Sequence, residues 1–269
     1  MRGASRASYA ELRERLAAVA VGPATSEQIG DQLFAVVRLL DAEHPLRRAL
    51  ADTSKPSEEK AAIVRRLLHG KVSQASEDLV ADAATLRWAA SGELSDAIEQ
   101  LAIEAFTFAA QYGDTLDDLE DDLFRFGRLV SGQPSLREAL VGPAPLGAKG
   151  DLLANLLAGK VSDTSLSLIT QLLTHTRGRS PQAALDVAAS IAAQRREQLV
   201  AVVRVATELS AEQRQRLATT LRAAYGQGIH LNVVHDPAVI GGVSVKIGDE
   251  LIDGTAASRL AEVRRKLAG

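Results

Sequence analysis

The chain has 269 residues, enough for one large domain or two to three small ones. Apolar residues make up 46% and charged residues 24%, the balance of a globular rather than a disordered chain. The net charge of -3 excludes a global pull onto nucleic acid, and zero cysteines exclude disulfides, thiolate catalysis, iron–sulfur clusters and Cys-based zinc sites.

The N-terminus carries Glu11, Arg13, Glu14 and Arg15 where a secretory signal would need an apolar core. No apolar run reaches the ~18–20 residues that span a bilayer, so neither secretion by that route nor direct membrane insertion is expected. From Ser5 to about Arg196 the pattern is helical. Ile29, Leu33, Val37 and Leu40 form one apolar stripe, and Ile63, Val64, Leu67 and Leu68 another. Breakers at Gly22-Pro23, His44-Pro45, Lys55-Pro56, Gly70, Gly92, Gly113, Gly132, Pro143 to Pro145, Gly159 and Gly178 cut this region into roughly ten helices. Ser180-Pro181 reads as an N-cap followed by a first-turn proline.

Beyond Arg196 the period changes. Val200, Val202, Val203 and Val205 read as a strand. Ile229, Leu231 and Val233 alternate with polar residues, as do Val243, Val245 and Ile247, so each predicts a strand of a half-buried sheet. Two helices interrupt them. One opens at Ser210 with Gln213 at capping-box spacing and carries Leu217, Leu221 and Tyr225. The last starts near Thr255 with Leu260, Val263 and Leu267 on one side. The expected fold is mainly α with a small C-terminal α+β domain.

An internal repeat organises the helical part. Asp31, Leu33, Phe34, Arg38 and Leu39 match Asp121, Leu123, Phe124, Arg128 and Leu129. Leu46, Arg47, Ala49 and Leu50 match Leu136, Arg137, Ala139 and Leu140. After a one-residue slip, Leu67-Leu68 and Gly70 to Ser73 match Leu156-Leu157 and Gly159 to Ser162. A near-constant offset of about 90 residues predicts two helical bundles in tandem. The expected domains are an extra bundle over 1–92, a six-helix-type bundle over 93–197, and an α+β domain over 198–269.

A search for chemistry yields little. Gly70-Lys71 and Gly159-Lys160 lack the first glycine and the Ser or Thr of a phosphate loop, so glycine helix ends explain them. Gly242 and Ser244 do not form a nucleophile elbow, because Lys246 stands where its second glycine belongs. His44, His69, His175, His230 and His235 show no helical ligand spacing, so no metal is expected. The six carboxylates between Asp114 and Asp122 fit a solvated helix start, with a basic partner as the other reading. Arg177, Arg179, Arg195 and Arg196 read as solvated charges. Phe106 and Phe108 diverge by about 200° on one helix, which turns one of them away from its own bundle. No nucleophile, cofactor loop or metal cluster supports an enzyme.

The C-terminal segment carries a specific resemblance. Asp236-Pro237, Ile240-Gly241-Gly242-Val243, Val245-Lys246, Gly248-Asp249, Ile252-Asp253-Gly254 and Ser258-Arg259-Leu260 resemble the delta subunit family of the rotary proton-driven ATP synthase, which includes the mitochondrial oligomycin-sensitivity-conferring protein. That family places a strand, a Gly-Gly turn, two more strands and a final helix in this order. The resemblance reaches back to about Glu93, and residues 1–92 exceed the usual pattern. His235 departs from the apolar or small residue usual before Asp-Pro.

The resemblance implies a non-catalytic stator subunit of the peripheral stalk, without cofactors. It would lie at the cytoplasmic face of a bacterial membrane and clamp the alpha/beta head to the b stalk, so that rotor torque drives ATP synthesis. The implied partners are the N-terminal helices of the alpha subunits and the b subunit, with beta a further contact. The family groove lies between the first and fifth bundle helices, here about 95–111 and 163–176. Ala102, Phe106 and Ala109 are then expected to face Leu168, Leu172 and His175 across it. A generic helical scaffold with an α+β binding module is the alternative on composition and periodicity.

Overall fold

A computed structural model describes residues 3–198, 200–205, 209–225, 230–236, 239, 242–247 and 250–253. Eleven helices precede the first strand: α1 (Ala4–Val19), α2 (Pro23–Ala42), α3 (His44–Ala51), α4 (Ser57–Leu68), α5 (Gln74–Thr85), α6 (Ser91–Tyr112), α7 (Leu116–Gly132), α8 (Pro134–Val141), α9 (Leu146–Leu157), α10 (Asp163–Thr174) and α11 (Pro181–Gln198). Then follow β1 (Val200–Val205), α12 (Ala211–Tyr225), β2 (His230–His235), β3 (Val243–Ile247) and β4 (Glu250–Asp253). The mainly α fold with a small α+β segment is as expected. The final helix expected from Thr255 lies outside the described residues, as do Ile229, Pro237, Gly241, Gly248, Gly254, Arg259 and Leu260.

The chain divides into two compact units, Met1–Ala192 and Ala193–Gly269. The repeat boundary near Gly92 falls inside the first unit. The two segments 1–92 and 93–192 therefore do not separate into bodies of their own.

The reason is α6. Every residue from Leu101 to Ala110 is buried, as are Leu94, Ser95, Ala97, Ile98 and Glu99. A helix apolar on all sides must be covered on all sides. Here α1, α2, α3 and α5 pack on it from the first segment, and α7 and α10 from the second. In sequence α6 opens the second repeat segment, and helices of both segments cover it. The buried polar groups of α6 are partnered, as burial demands. Glu104 accepts from the Tyr9 hydroxyl at 2.6 Å and pairs with Arg13 at 2.6 Å. The Thr107 hydroxyl donates to the Glu104 carbonyl at 2.8 Å. Burial, reinforced by the Glu104 charge, pushes the Tyr9 hydroxyl pKa up.

The matched segments share local geometry as well as residues. Gly70 (φ 72°) and Gly159 (φ 69°) follow α4 and α9 in the left-handed region, where a glycine meets no Cβ penalty. The Ser73 hydroxyl accepts from the Ser76 N–H at 3.3 Å, and Ser162 from Ser165 at 3.1 Å, capping α5 and α10. Each capping serine is held in turn from the second helix of its copy. The Ser73 N–H donates to Gln32 at 2.9 Å, and the Ser162 N–H to Asp122 at 3.3 Å. Gln32 and Asp122 occupy matching repeat positions. Asp122 is therefore a buried cap ligand, while Asp117, Asp118 and Asp121 lie exposed as a solvated helix start requires.

The second unit is a four-stranded sheet in the order β2-β1-β3-β4. β1 pairs parallel to β2, which requires a crossover, and α12 lies between them in sequence. β1–β3 and β3–β4 are antiparallel. Alternation holds: Val203, Val205, Val245 and Ile247 are buried with Leu221 of α12, while Arg204 and Lys246 are exposed. α12 opens with the expected reciprocal cap. The Gln213 N–H donates to the Ser210 hydroxyl at 3.2 Å, and the Ser210 N–H to the Gln213 side chain at 2.9 Å.

Candidate interaction site: the groove between α6 and α10

The two helices expected to form a groove for a partner helix, α6 and α10, pack together, and α2 of the same chain packs against both. Ala102, Phe106 and Ala109 on α6 are 0%, 0% and 1% exposed, and Leu168 and Leu172 on α10 are 0% and 1% exposed. None of these five is open surface. His175, just past α10, is half-buried.

Three layers fix α2 there. The first is apolar. A Cβ added at Gly30 would stand 2.6 Å from Phe106 Cδ2 and Cε2 and 3.2 Å from the Ala102 carbonyl. Only glycine allows this approach of the two helices. One turn further, the Phe34 ring meets Phe106 with centroids 6.1 Å apart and planes tilted by 48°. Of Phe106 and Phe108, one was expected to turn from its bundle toward a partner; Phe106 is instead fully buried against α2. Phe108 is also buried, beside Tyr112 at 6.4 Å.

The second layer is an amide relay. The Gln171 Nε2 on α10 donates to Asp31 Oδ1 at 2.6 Å, and its Oε1 accepts from Arg38 Nη1 at 2.7 Å. Asp31 and Arg38 are two turns apart on α2, so one glutamine spans both.

The third layer is ionic. Asp41, at the end of α2, accepts from Arg177 Nε at 2.6 Å, from the Ser95 hydroxyl at 2.9 Å and from Arg47 at 3.1 Å. His175 Nε2 lies 3.3 Å from it. Arg177 also donates to Glu99 at 2.8 Å and to the Ser95 hydroxyl at 3.0 Å, and pairs with Asp96 at 3.0 Å. Arg179 closes on the other Glu99 oxygen. Burial raises the Asp41 carboxyl pKa, but Arg177, Ser95 and His175 outweigh it and hold the pKa below the usual aspartate value. Burial lowers the Arg177 pKa, and its three carboxylate neighbours reverse that and raise it. Both groups stay charged at neutral pH.

The reading of Arg177 and Arg179 as solvated charges is therefore corrected. The Arg177 side chain is only 12% exposed, and its backbone sits at φ 55°, followed by Gly178 at φ 76°. That left-handed turn aims the guanidinium into the cluster. Sequence reasoning also missed Asp41, Glu99, Gln171 and Gly30. The available signal was indirect: a long, mostly apolar helix carrying Glu99 and Glu104 needs cationic partners brought from elsewhere.

Among the described residues, no group of three or more His, Asp or Glu is placed to hold a metal ion. No described helix is long and apolar enough to cross a membrane. Of the family-signature residues, Asp236, Gly242 and Asp253 are described. The Asp236 N–H bonds the Val205 carbonyl at 2.9 Å, and Gly242 adopts φ 93° ahead of β3.

A unit of packed helices followed by a small four-stranded sheet unit defines a mainly α chain with a C-terminal α+β segment. The family profile for the ATP synthase delta (OSCP) subunit matches residues 103–267. An "ATP synthase subunit delta" of Streptomyces griseus subsp. griseus is 45% identical over 271 aligned residues, covering 100% of both chains. Those of Thermobifida fusca and Acidothermus cellulolyticus are 44% and 42% identical, again over 100% of both chains. The chain belongs to the ATP synthase delta (OSCP) subunit family. The family profile begins inside α6, whereas these relatives match the full length, so the N-terminal helices are shared with them.

Proposed function

We propose that this chain is a stator subunit of the peripheral stalk of a proton-driven ATP synthase, with no catalytic role of its own. The observation that carries the reading is the 45% identity over the full length of a chain named ATP synthase subunit delta. A stator resists rotation, so its chemistry is contact rather than catalysis. The helical segment 93–197 holds N-terminal helices of the alpha subunits on the catalytic head, and the extra segment 1–92 adds a grip on b or on the alpha/beta head. The segment 198–269 meets the b stalk at the cytoplasmic face of the membrane. Two contacts carried on one chain make the second intramolecular, raising avidity by ~10²–10⁴-fold without new contacts. Of the residues expected to line the alpha contact, Ala102 and Phe106 pack against α2, and Ala109, Leu168 and Leu172 are buried. The contact is therefore assigned to the outer surface of the helical unit.

The test is calorimetric. The full chain is titrated into the alpha/beta head of the same organism, and separately into the soluble part of its b subunit. Saturable binding of one chain per head, together with binding of b, is expected. Failure to bind the head, with both components folded, sinks the reading.

A further inference from the structure

We infer that the outer face of α7, built on Asp121, Phe124 and Arg128, is a docking surface for a helix of another polypeptide that presents a glutamine flanked by leucines. The template lies inside the chain. Asp31, Phe34 and Arg38 are the matching residues of α2, and there a neighbouring helix uses them. Gln171 of α10 donates to Asp31 and accepts from Arg38, on the face that buries Phe34. In α7 the same three side chains are exposed, Phe124 at 61%. Asp121 pairs with Arg125 of its own helix at 3.0 Å, and Arg128 lies over the Phe124 ring. Exposed pairs of this kind are weak and exchange readily for a better partner.

The two sides of this face differ. At about 3.6 residues per turn, Gly30 and Asp41 fall on one side of Phe34, toward α6, and Asp31 and Arg38 on the other, toward α10. On α7 the first side is taken by α11. A Cβ added at Gly127 would stand 3.0 Å from Gln182 Nε2, and Ser131, the match of Asp41, donates to Gln182 Oε1 at 2.7 Å. Glu120, in place of Gly30, bars an approach as close as that of α6 to α2. The second side, matching the one where α10 lies on α2, is exposed. The chemistry of its occupant follows. A carboxamide offers the donor for Asp121 and the acceptor for Arg128, two turns apart. His175, just past α10, lies 3.3 Å from Asp41 at the end of α2, so α10 runs parallel to α2. An occupant placed likewise starts near the exposed Asp117, which favours a cation about two turns before the glutamine. In a second copy of this chain α10 is already packed on α2 and α9, so the occupant comes from a different polypeptide.

The probe is a labelled peptide copying residues 160–176 with Thr164→Lys, stapled on the face away from Gln171 because so short a helix does not hold itself in water. The protein is the full chain. One-to-one binding by fluorescence anisotropy is expected. Phe124→Ala, and separately Asp121→Ala with Arg128→Ala, should weaken it about tenfold or more; all three positions are exposed, so the fold is retained. A peptide with Gln171→Leu should lose affinity on the unsubstituted chain and little further on the Asp121 and Arg128 variant. No binding by the folded chain, or binding indifferent to Phe124→Ala, overturns the docking surface. Equal binding of the Gln171→Leu peptide to the unsubstituted chain overturns the carboxamide assignment. Dimerisation of the chain in sedimentation, abolished by Phe124→Ala, gives the face to a second copy and overturns the partner assignment. No ATP synthase subunit is used as a probe, so the outcome is separable from the proposed stalk role.

Discussion

α2 and α7 carry the same motif, Asp-x-Leu-Phe with Arg and Leu following, and they meet opposite fates. In α2 the phenylalanine is buried against Phe106; in α7 it faces water with Arg128 over its ring at 6.0 Å. The arginines part in the same way. Arg38 binds Gln171 across helices, whereas Arg128 lies over Phe124 of its own helix. The lesson is that a repeat conserves the helix and its inner face, while the outer face takes its value from what packs on it. α2 has α6 and α10 there, and its Gly30 admits them.

The largest test of this contrast is the phenylalanine pair. Phe34→Ala is expected to cost about 3–5 kcal/mol of unfolding free energy, the range for a truncated core aromatic. Phe124→Ala is expected to cost under about 1 kcal/mol, chiefly the exposed cation–π contact. Chemical denaturation of both variants checks this, and equal losses would break the contrast.

The ionic layer comes next. Arg177→Ala leaves Asp41 and Glu99 without their principal cation, and a loss of about 3 kcal/mol is expected. Arg128→Ala should stay within about 0.5 kcal/mol of the unsubstituted chain, as exposed substitutions do. Thermal melts of the two variants, read against each other, report the difference.

The two serine caps sharpen the comparison from the other side, because here the copies agree. Ser73→Ala and Ser162→Ala should each cost about 1 kcal/mol. A ratio far from unity would mean that Gln32 and Asp122 do not hold their serines alike.

The smallest effect is a pH dependence. The Asp41 pKa in the folded chain lies below its ordinary value of 3.8. Its stabilising contribution is therefore full above that value and is lost as pH falls through the lower, folded value. Asp41→Asn should weaken the chain at neutral pH and flatten this acid limb. Denaturation midpoints measured at pH 6 and near pH 3 would show the gap between variant and unsubstituted chain narrowing. A gap that widens on acidification would contradict the assignment.

Much of this was readable beforehand. Most breakers fell at helix ends as expected, although Gly92 lies inside α6; Gly70 and Gly159 cap in the left-handed region, and Ser210 with Gln213 formed the predicted reciprocal cap. Strand parity at Val203, Val205, Val245 and Ile247 held. These are local features, fixed by φ preferences and by periods of 3.6 and 2. The two helices named from the resemblance as walls of a groove correspond to α6 and α10, which pack together. That α2 packs on both was not legible, and Arg177 read as an ordinary surface charge.

What the sequence by itself determined is the helix series, its repeat, the strand alternation and the family. Each is written in spacing between near neighbours or in a contiguous signature. Only the tertiary structure decided that helices of both segments cover α6, that α2 packs on α6 and α10 together, and that Arg177 is the centre of a buried cluster. The physical reason is range. An apolar face shows that a helix is covered, not by what, and the pairs that settle it here join residues more than 130 positions apart.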